Sequence, residues 1–221
     1  MIDETVVELT NVYLKSDRGF EVFEDLNFQL KAERSAIITG AAGSGKSLLV
    51  ELLIGKRFAN SGSVEMFGQI LKPGKKRLIK RTRRKIGGVG GIFGLVPSYT
   101  VSENICFPLV LNAERKSVRK ERLLKMLTEF SLLKQANTYP NKLTRVEHTL
   151  VQLARASVAN QPLIIIDEPL AGLDQKTYQR IYDYMVKLAL SGRSMIILSG
   201  ETLPTDFPNT DRYQILNGAL V

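Results

Sequence analysis

Apolar and polar residues alternate along the first thirty positions of the chain. "TVVELTNVYL" and "EVFEDLNFQL" each place every second side chain on one face, which predicts two strands, and the turn-forming "KSDRG" between them predicts an antiparallel pair. The pattern then changes. "SAIIT", "LIIID" and "SMIIL" are short continuous apolar runs with no polar face, as parallel strands buried on both sides require. Helical patterns separate them: "KSLLVELLIGK" follows the first run, and "KTYQRIYDYMVKLAL" lies between the second and third. From Ser98 to Asn160 no strong strand pattern occurs, and "SVRKERLLKMLTEFSLL" sets Val118, Leu123, Leu127 and Phe130 at helical spacing. "YQILNGALV" closes the chain on an Asn-Gly hairpin. The fold class this predicts is α/β, with an antiparallel β opening and a helical subdomain inserted over about 98–160 of a single domain covering 1–221.

Composition narrows the class. At 221 residues, 44% hydrophobic and 24% charged, the chain can bury a sizeable core, and disorder is not indicated. No run approaches the roughly 18 apolar residues that cross a bilayer, and "MIDETVVELT" is acidic and alternating, unlike a leader. The expected location is cytoplasmic, or peripheral on the inner face of the cell membrane. The single cysteine, Cys106, leaves no internal disulfide and no thiolate metal cluster, and its setting in "NICFPLVL" predicts a buried small hydrophobe. The net charge of +9 raises anionic partners. Much of the excess lies in "LKPGKKRLIKRTRRK", Leu71 to Lys85, which no acidic residue interrupts. A solvated face, contact with anionic lipid headgroups and a nucleic-acid site are the three readings of this run. The absence of aromatic residues on which bases could stack ranks nucleic acid last.

The chemistry begins at "TGAAGSGKS". Gly40, Ala41, Ala42, Gly43, Ser44, Gly45, Lys46 and Ser47 fill the eight positions of a phosphate loop, directly after an apolar run and before a helical one. Glycines let successive N–H groups turn inward around a β-phosphate, and the helix start adds partial positive charge. Lys46 reaches the β- and γ-oxygens, and Ser47 can hold Mg²⁺. "LIIIDEP" supplies the second half: a buried strand whose end presents Asp167 to the magnesium, followed by Glu168 where a carboxylate could polarise an attacking water. The cofactors this predicts are ATP and Mg²⁺ on a P-loop NTPase core.

With these motifs in order, the chain resembles the nucleotide-binding domains of the ABC ATPase family over essentially its full length. "LAGLD" places Asp174 on the family's D-loop, which lies at the dimer contact, and "TVSENICFPLVL" is similar to the segment that enters the helical lobe in the small domains serving lipoprotein release, cell division and efflux. The resemblance implies a dimer, of like chains or with a paralogous ATPase subunit, that sandwiches each ATP between one phosphate loop and the opposing signature motif. It also implies integral membrane subunits that the ATPase drives.

Three positions depart from the family pattern. The signature, LSGGQ, needs small residues at a helix start, yet no glycine occurs from Leu95 to Ala171, and "LTRVE" places Thr144, Arg145 and Val146 there instead. Arg145 reads as a solvent-facing helix residue, with a charge contact to phosphate as the alternative. The Q-loop glutamine, expected between Gln69 and Gln135, is absent, and Gly91 takes its place in "GGVGGIFG", a stretch that reads as a flexible strand end. Gly200 in "SGETLP" stands where the switch histidine belongs; the one histidine, His148, reads as an ordinary helix-surface residue. For the base-stacking aromatic, Tyr13, Phe20 and Phe23 remain open. Losing several preorganised donors, each worth about 10²–10³ in rate, predicts binding of Mg-ATP with slow hydrolysis. The readings are therefore an ATPase subunit of a membrane complex, an inactive nucleotide-holding subunit paired with a paralogue, and a soluble family member acting on nucleic acid.

Overall fold

The computed structural model describes residues 4–168, 170 and 172–221; Met1–Asp3, Pro169 of "LIIIDEP" and Ala171 of "LAGLD" lie outside the described residues. The alternating opening forms β1 (Thr5–Lys15) and β2 (Glu21–Lys31), paired antiparallel. Their inward residues, among them Val7, Leu9, Val12, Phe23, Leu26 and Leu30, are buried while the intervening polar ones face out. β4 (Ser61–Met66) and the two-residue β5 (Gln69–Ile70) complete a four-stranded sheet in the order β2-β1-β4-β5.

The apolar runs become β3 (Ser35–Thr39), β7 (Leu163–Asp167) and β8 (Ser194–Ser199), which pair in parallel. With β6 (Ile86–Val89), β9 (Thr210–Leu216) and β10 (Ala219–Leu220) they form a second sheet in the order β10-β9-β3-β8-β7-β6. Asn217 and Gly218 both have positive φ, 49° and 80°, which is the conformation an Asn-Gly hairpin needs. α1 (Lys46–Leu53) packs against β7 and β4, and α6 (Gln175–Leu190) joins β7 to β8.

Between β6 and β7 the chain is helical: α3 (Val101–Leu111), α4 (Lys116–Glu129) and α5 (Arg145–Ser157). Val101, Ile105, Leu109, Leu127, Phe130 and Val151 belong to one buried cluster with Ile164 and Ile197 of the parallel sheet, so the helical lobe shares a core with it. Entry to the lobe is fixed by Asn104, fully buried, whose side chain accepts from Val96 N at 2.8 Å and donates to the carbonyls of Val96, Tyr99 and Thr100.

Three expectations need correction. "GGVGGIFG" is not a flexible strand end: Ile86–Val89 is a fully buried edge of the parallel sheet, where a Cβ at Gly87 would run into the Ala156 carbonyl and one at Gly88 into the Phe93 ring. The glycines are there for close approach. Cys106 is half-buried rather than buried, and burial pushes its thiol up. His148 is half-buried as well; burial and the nearby Arg155 lower its pKa. The basic run adds an unforeseen helix, α2 (Lys76–Arg84), in which only Ile79 and Thr82 are buried.

Candidate functional site

β3, β7 and β8 are neighbours, and their C-terminal ends bring three loops together. The loop after β3 is the glycine-rich one. Gly43 and Gly45 take φ of 81° and 101°, and Gly45 is the left-handed residue on which α1 starts. A Cβ at Gly45 would lie 2.8 Å from Val22 Cγ1 and 2.9 Å from the Phe23 ring, so both conformation and space demand glycine. Lys46 is 9% exposed; its Nζ donates to Gly40 O at 2.6 Å and Ala41 O at 3.2 Å, and lies 3.4 Å from Glu168 Oε1. Ser44 Oγ is buried without a hydrogen-bond partner, and Ser47 is exposed at the first turn of α1.

Asp167 ends β7 opposite Leu198 of β8. Burial, reinforced by the neighbouring Glu168 and opposed by Lys46, holds its carboxyl above the ordinary range. Glu168 turns out of the strand with φ 53°, donating its N–H to Leu198 O at 2.9 Å. Its carboxylate accepts from Gly200 N at 3.0 Å and faces Lys46. Gly200 thus contributes a backbone donor to the glutamate rather than a side chain.

A half-buried and an exposed carboxylate side by side, an orphaned hydroxyl and a lysine folded onto its own loop are an arrangement that a magnesium polyphosphate would complete. The cation would relieve the Asp167–Glu168 repulsion, and phosphate oxygens would replace the carbonyls at Lys46 and occupy Ser44. Beside the loop, Gly43, Ser44 and Leu48 form one wall of a cleft of about 750 Å³ whose other walls include Arg18, Phe20 and Asn217. Phe20 is 69% exposed there, whereas Phe23 is buried beneath Gly45 and Tyr13 lies on β1 opposite Ser61, outside this cleft.

The departing positions are also placed. Thr144 caps α5 in a reciprocal box: its Oγ1 accepts from Glu147 N at 3.2 Å, and Glu147 Oε2 accepts from Thr144 N at 2.8 Å. Gln135 donates to the same carboxylate at 2.8 Å. The hydrogen bond from the Thr144 backbone holds the Glu147 carboxyl below its usual range. The start of α5 therefore already carries an anion of its own. Val146 packs on the helical-lobe core, and exposed Arg145 lies over Gly172, where an added Cβ would be 3.0 Å from its Nη1. Asp174 caps α6, accepting from Thr177 N at 3.1 Å and Thr177 Oγ1 at 2.6 Å.

Gly91 is exposed, and a Cβ there would meet nothing within 4 Å. The residue before it, Gly90, has φ 114° and packs so closely on Asp167 that a Cβ would be 2.6 Å from its carbonyl oxygen. Gln152, 4% exposed on α5, holds this segment: Oε1 accepts from Gly90 N at 3.1 Å, and Nε2 donates to Gly90 O and Phe93 O at 3.2 Å each. Arg155 adds bonds to the carbonyls of Phe93 and Gly94. Neither Gln152 nor Glu147 stood out from the sequence as a site residue, although the Thr-x-x-Glu spacing of the capping box was there to be seen.

Comparison with known proteins shows the family. Residues 23–171 match the family model described as ABC transporter. The cell division ATP-binding protein FtsE of Streptococcus pneumoniae is 27% identical over 98% of this chain and 94% of its own. The lipoprotein-releasing system ATP-binding protein LolD of Pseudomonas fluorescens is 31% identical over 86% of this chain and 85% of its own. Among solved structures, the dimeric post-hydrolysis state of the ATP-binding cassette MJ0796 bound to ADP and Pi superposes with a TM-score of 0.85, at 26% identity, over 97% of this chain and 96% of that one.

Proposed function

Because the chain belongs to the ABC transporter family, we propose that it is the ATP-binding subunit of a transporter-type membrane complex, coupling ATP binding and slow hydrolysis to integral membrane subunits. The observation that carries this is the convergence of Lys46, Glu168 and Asp167 at the ends of β3 and β7, the parallel strands on either side of β8, with Lys46 Nζ 3.4 Å from Glu168 Oε1. On this reading Gly40–Ser47 cradle the phosphates, and Ser47 and Asp167 hold Mg²⁺. The ion would supply charge neutralisation along the phosphate chain. Lys46 exchanges its carbonyl and carboxylate partners for phosphate oxygens, which frees Glu168 to orient a water. Phe20, in the cleft beside Gly43, stacks on the base.

Slow turnover follows from what the site lacks. Gly91 and Gly200 bring no side chain toward the γ-phosphate, and the α5 start, filled by Glu147, offers the opposing nucleotide a carboxylate instead of free donors. That last observation also favours a second reading, in which the chain holds nucleotide without hydrolysing it beside a more complete paralogous subunit. In either case the chain works as a dimer, with Asp174 near the contact, peripheral to the cytoplasmic face of the membrane; no helix of the described residues is long and apolar enough to cross one.

The test is steady-state phosphate release with Mg-ATP over a range of protein concentrations, alongside Glu168→Gln. Turnover that rises with concentration and disappears in the variant supports an active dimer. Bound ATP without turnover supports the nucleotide-holding subunit. Absence of ATP binding refutes both.

A further inference from the structure

Nine of the 31 basic residues lie between Lys72 and Lys85, which leaves 22 to balance the 22 acidic ones: this one run carries the whole net charge of +9. All nine are exposed. The fold concentrates them further, because Ile79 and Thr82 turn inward and helical geometry then puts Arg77, Lys80, Arg81 and Arg84 on the outward face of α2. Two of the nine have partners within the protein. Arg83 donates to the carbonyls of Ile54 and Gly55, fastening the helix to the end of α1, and Lys85 Nζ sits 4.8 Å from the centre of the Phe67 ring. The four outward cations pair with no carboxylate among the described residues.

Such a helix works against itself. Lys76 and Lys80, Arg77 and Arg81, and Lys80 and Arg84 are like charges four residues apart, and there is no acidic residue in the first turn to meet the helix dipole. Some cations elsewhere on this surface are paired, as Arg57 is with Asp17 and Glu51 and Arg34 with Asp211. α2 gathers four cations on one face with no acidic residue among them, and a dense array of anions would relieve their repulsion. We propose that the outward face of α2 binds the headgroups of anionic phospholipids, holding the subunit against a membrane surface independently of any protein partner. A nucleic acid fits less well. The run contains no aromatic residue for bases to stack on, and the nearby Phe67 ring is covered by Lys85. Arg83 and Arg84 also line a cavity of about 300 Å³ shared with Phe107, Leu111 and Arg155 of the helical lobe, so the charged face borders the junction of lobe and sheet.

The experiment is co-sedimentation of the purified chain with vesicles of phosphatidylcholine alone and of phosphatidylcholine containing about one third phosphatidylglycerol, at low and high salt. Strong binding to the anionic vesicles only, lost at high salt, is expected. The fourfold variant Arg77→Gln, Lys80→Gln, Arg81→Gln, Arg84→Gln should partition about 10²–10³-fold more weakly, each cation contributing roughly fivefold. A matched variant that removes the same charge elsewhere, Lys116→Gln, Lys120→Gln, Lys125→Gln, Lys134→Gln, should bind as the parent does. Equal losses in the two variants would mean net charge rather than this helix, and would overturn the proposal. So would undiminished binding by the first variant, or a tighter, salt-sensitive complex of the parent chain with single-stranded RNA or DNA at equal phosphate concentration. ATP binding by the first variant, read by calorimetry, should equal that of the parent, which keeps failure here distinct from failure of the ATP reading.

Discussion

Gln152→Leu tests whether the helical lobe is tied to the nucleotide site through one amide. The side chain is 4% exposed and makes three hydrogen bonds, to Gly90 N, Gly90 O and Phe93 O. Leucine has nearly the same volume, so little cavity arises. At about 0.5–1.5 kcal/mol each, the lost bonds cost about 3 kcal/mol. For a protein of this size about 2–4 °C of Tm accompanies each kcal/mol, so a fall of about 6–12 °C is expected in a thermal melt. Gln152→Glu should do comparable harm, since it keeps the acceptor for Gly90 N but loses both donors and buries a charge. Because Gly90 rests against Asp167, the stabilisation conferred by Mg-ATP should shrink in both variants. A change in Tm below about 2 °C for Gln152→Leu would refute the reasoning, since the segment would then be held by something other than this amide.

Lys46→Ala should weaken ATP binding markedly, as read by calorimetry; unchanged affinity would sink the phosphate-loop assignment. Arg145→Ala should barely alter ATP-driven dimerisation in light scattering, because the guanidinium lies over Gly172 of its own chain, and a large loss of dimer would restore a role in trans. Gly91→Gln has open space, and combined with Gly200→His should raise phosphate release toward the 10²–10³ that a preorganised donor is worth, to about that order. No gain would place the defect at the α5 start instead. The Glu147 carboxyl is held below its ordinary range in the fold, so the stability it adds is present at neutral pH and fades as pH falls through that folded value. Glu147→Ala should therefore be less stable than the parent by about 0.5–2 kcal/mol at pH 7, with a difference that narrows in acid melts.

The phosphate loop and the Asp167–Glu168 pair were legible in the sequence because their chemistry is contiguous: a buried strand, a turn and a helix start carry all the information. The hairpin at Asn217–Gly218 was legible for the same reason. β6 was not, since two of its four residues are glycines whose purpose is the approach of Ala156 and Phe93, residues distant in sequence for the former and outside any strand pattern for the latter. α2 was hidden by its charge, which reads as solvated chain until Ile79 and Thr82 are seen to anchor it. The choice among Tyr13, Phe20 and Phe23 depends on which face of a bent hairpin meets the glycine loop, a question of register shifts between β1 and β2 that no periodicity reports. Gln152 is likewise a matter of tertiary contact, made across 62 positions of sequence.

The folded-back lysine has a thermodynamic corollary. Lys46 already answers to Gly40 O, Ala41 O and Glu168 within its own chain, so nucleotide binding is an exchange reaction and the measured affinity is a difference between two sets of ligands. The intramolecular set acts as a resident competitor. A lone inorganic phosphate must displace it with few contacts of its own, whereas a triphosphate brings oxygens for the whole loop at once. On the proposed reading, the loop would in this way discriminate by chain length of the polyphosphate.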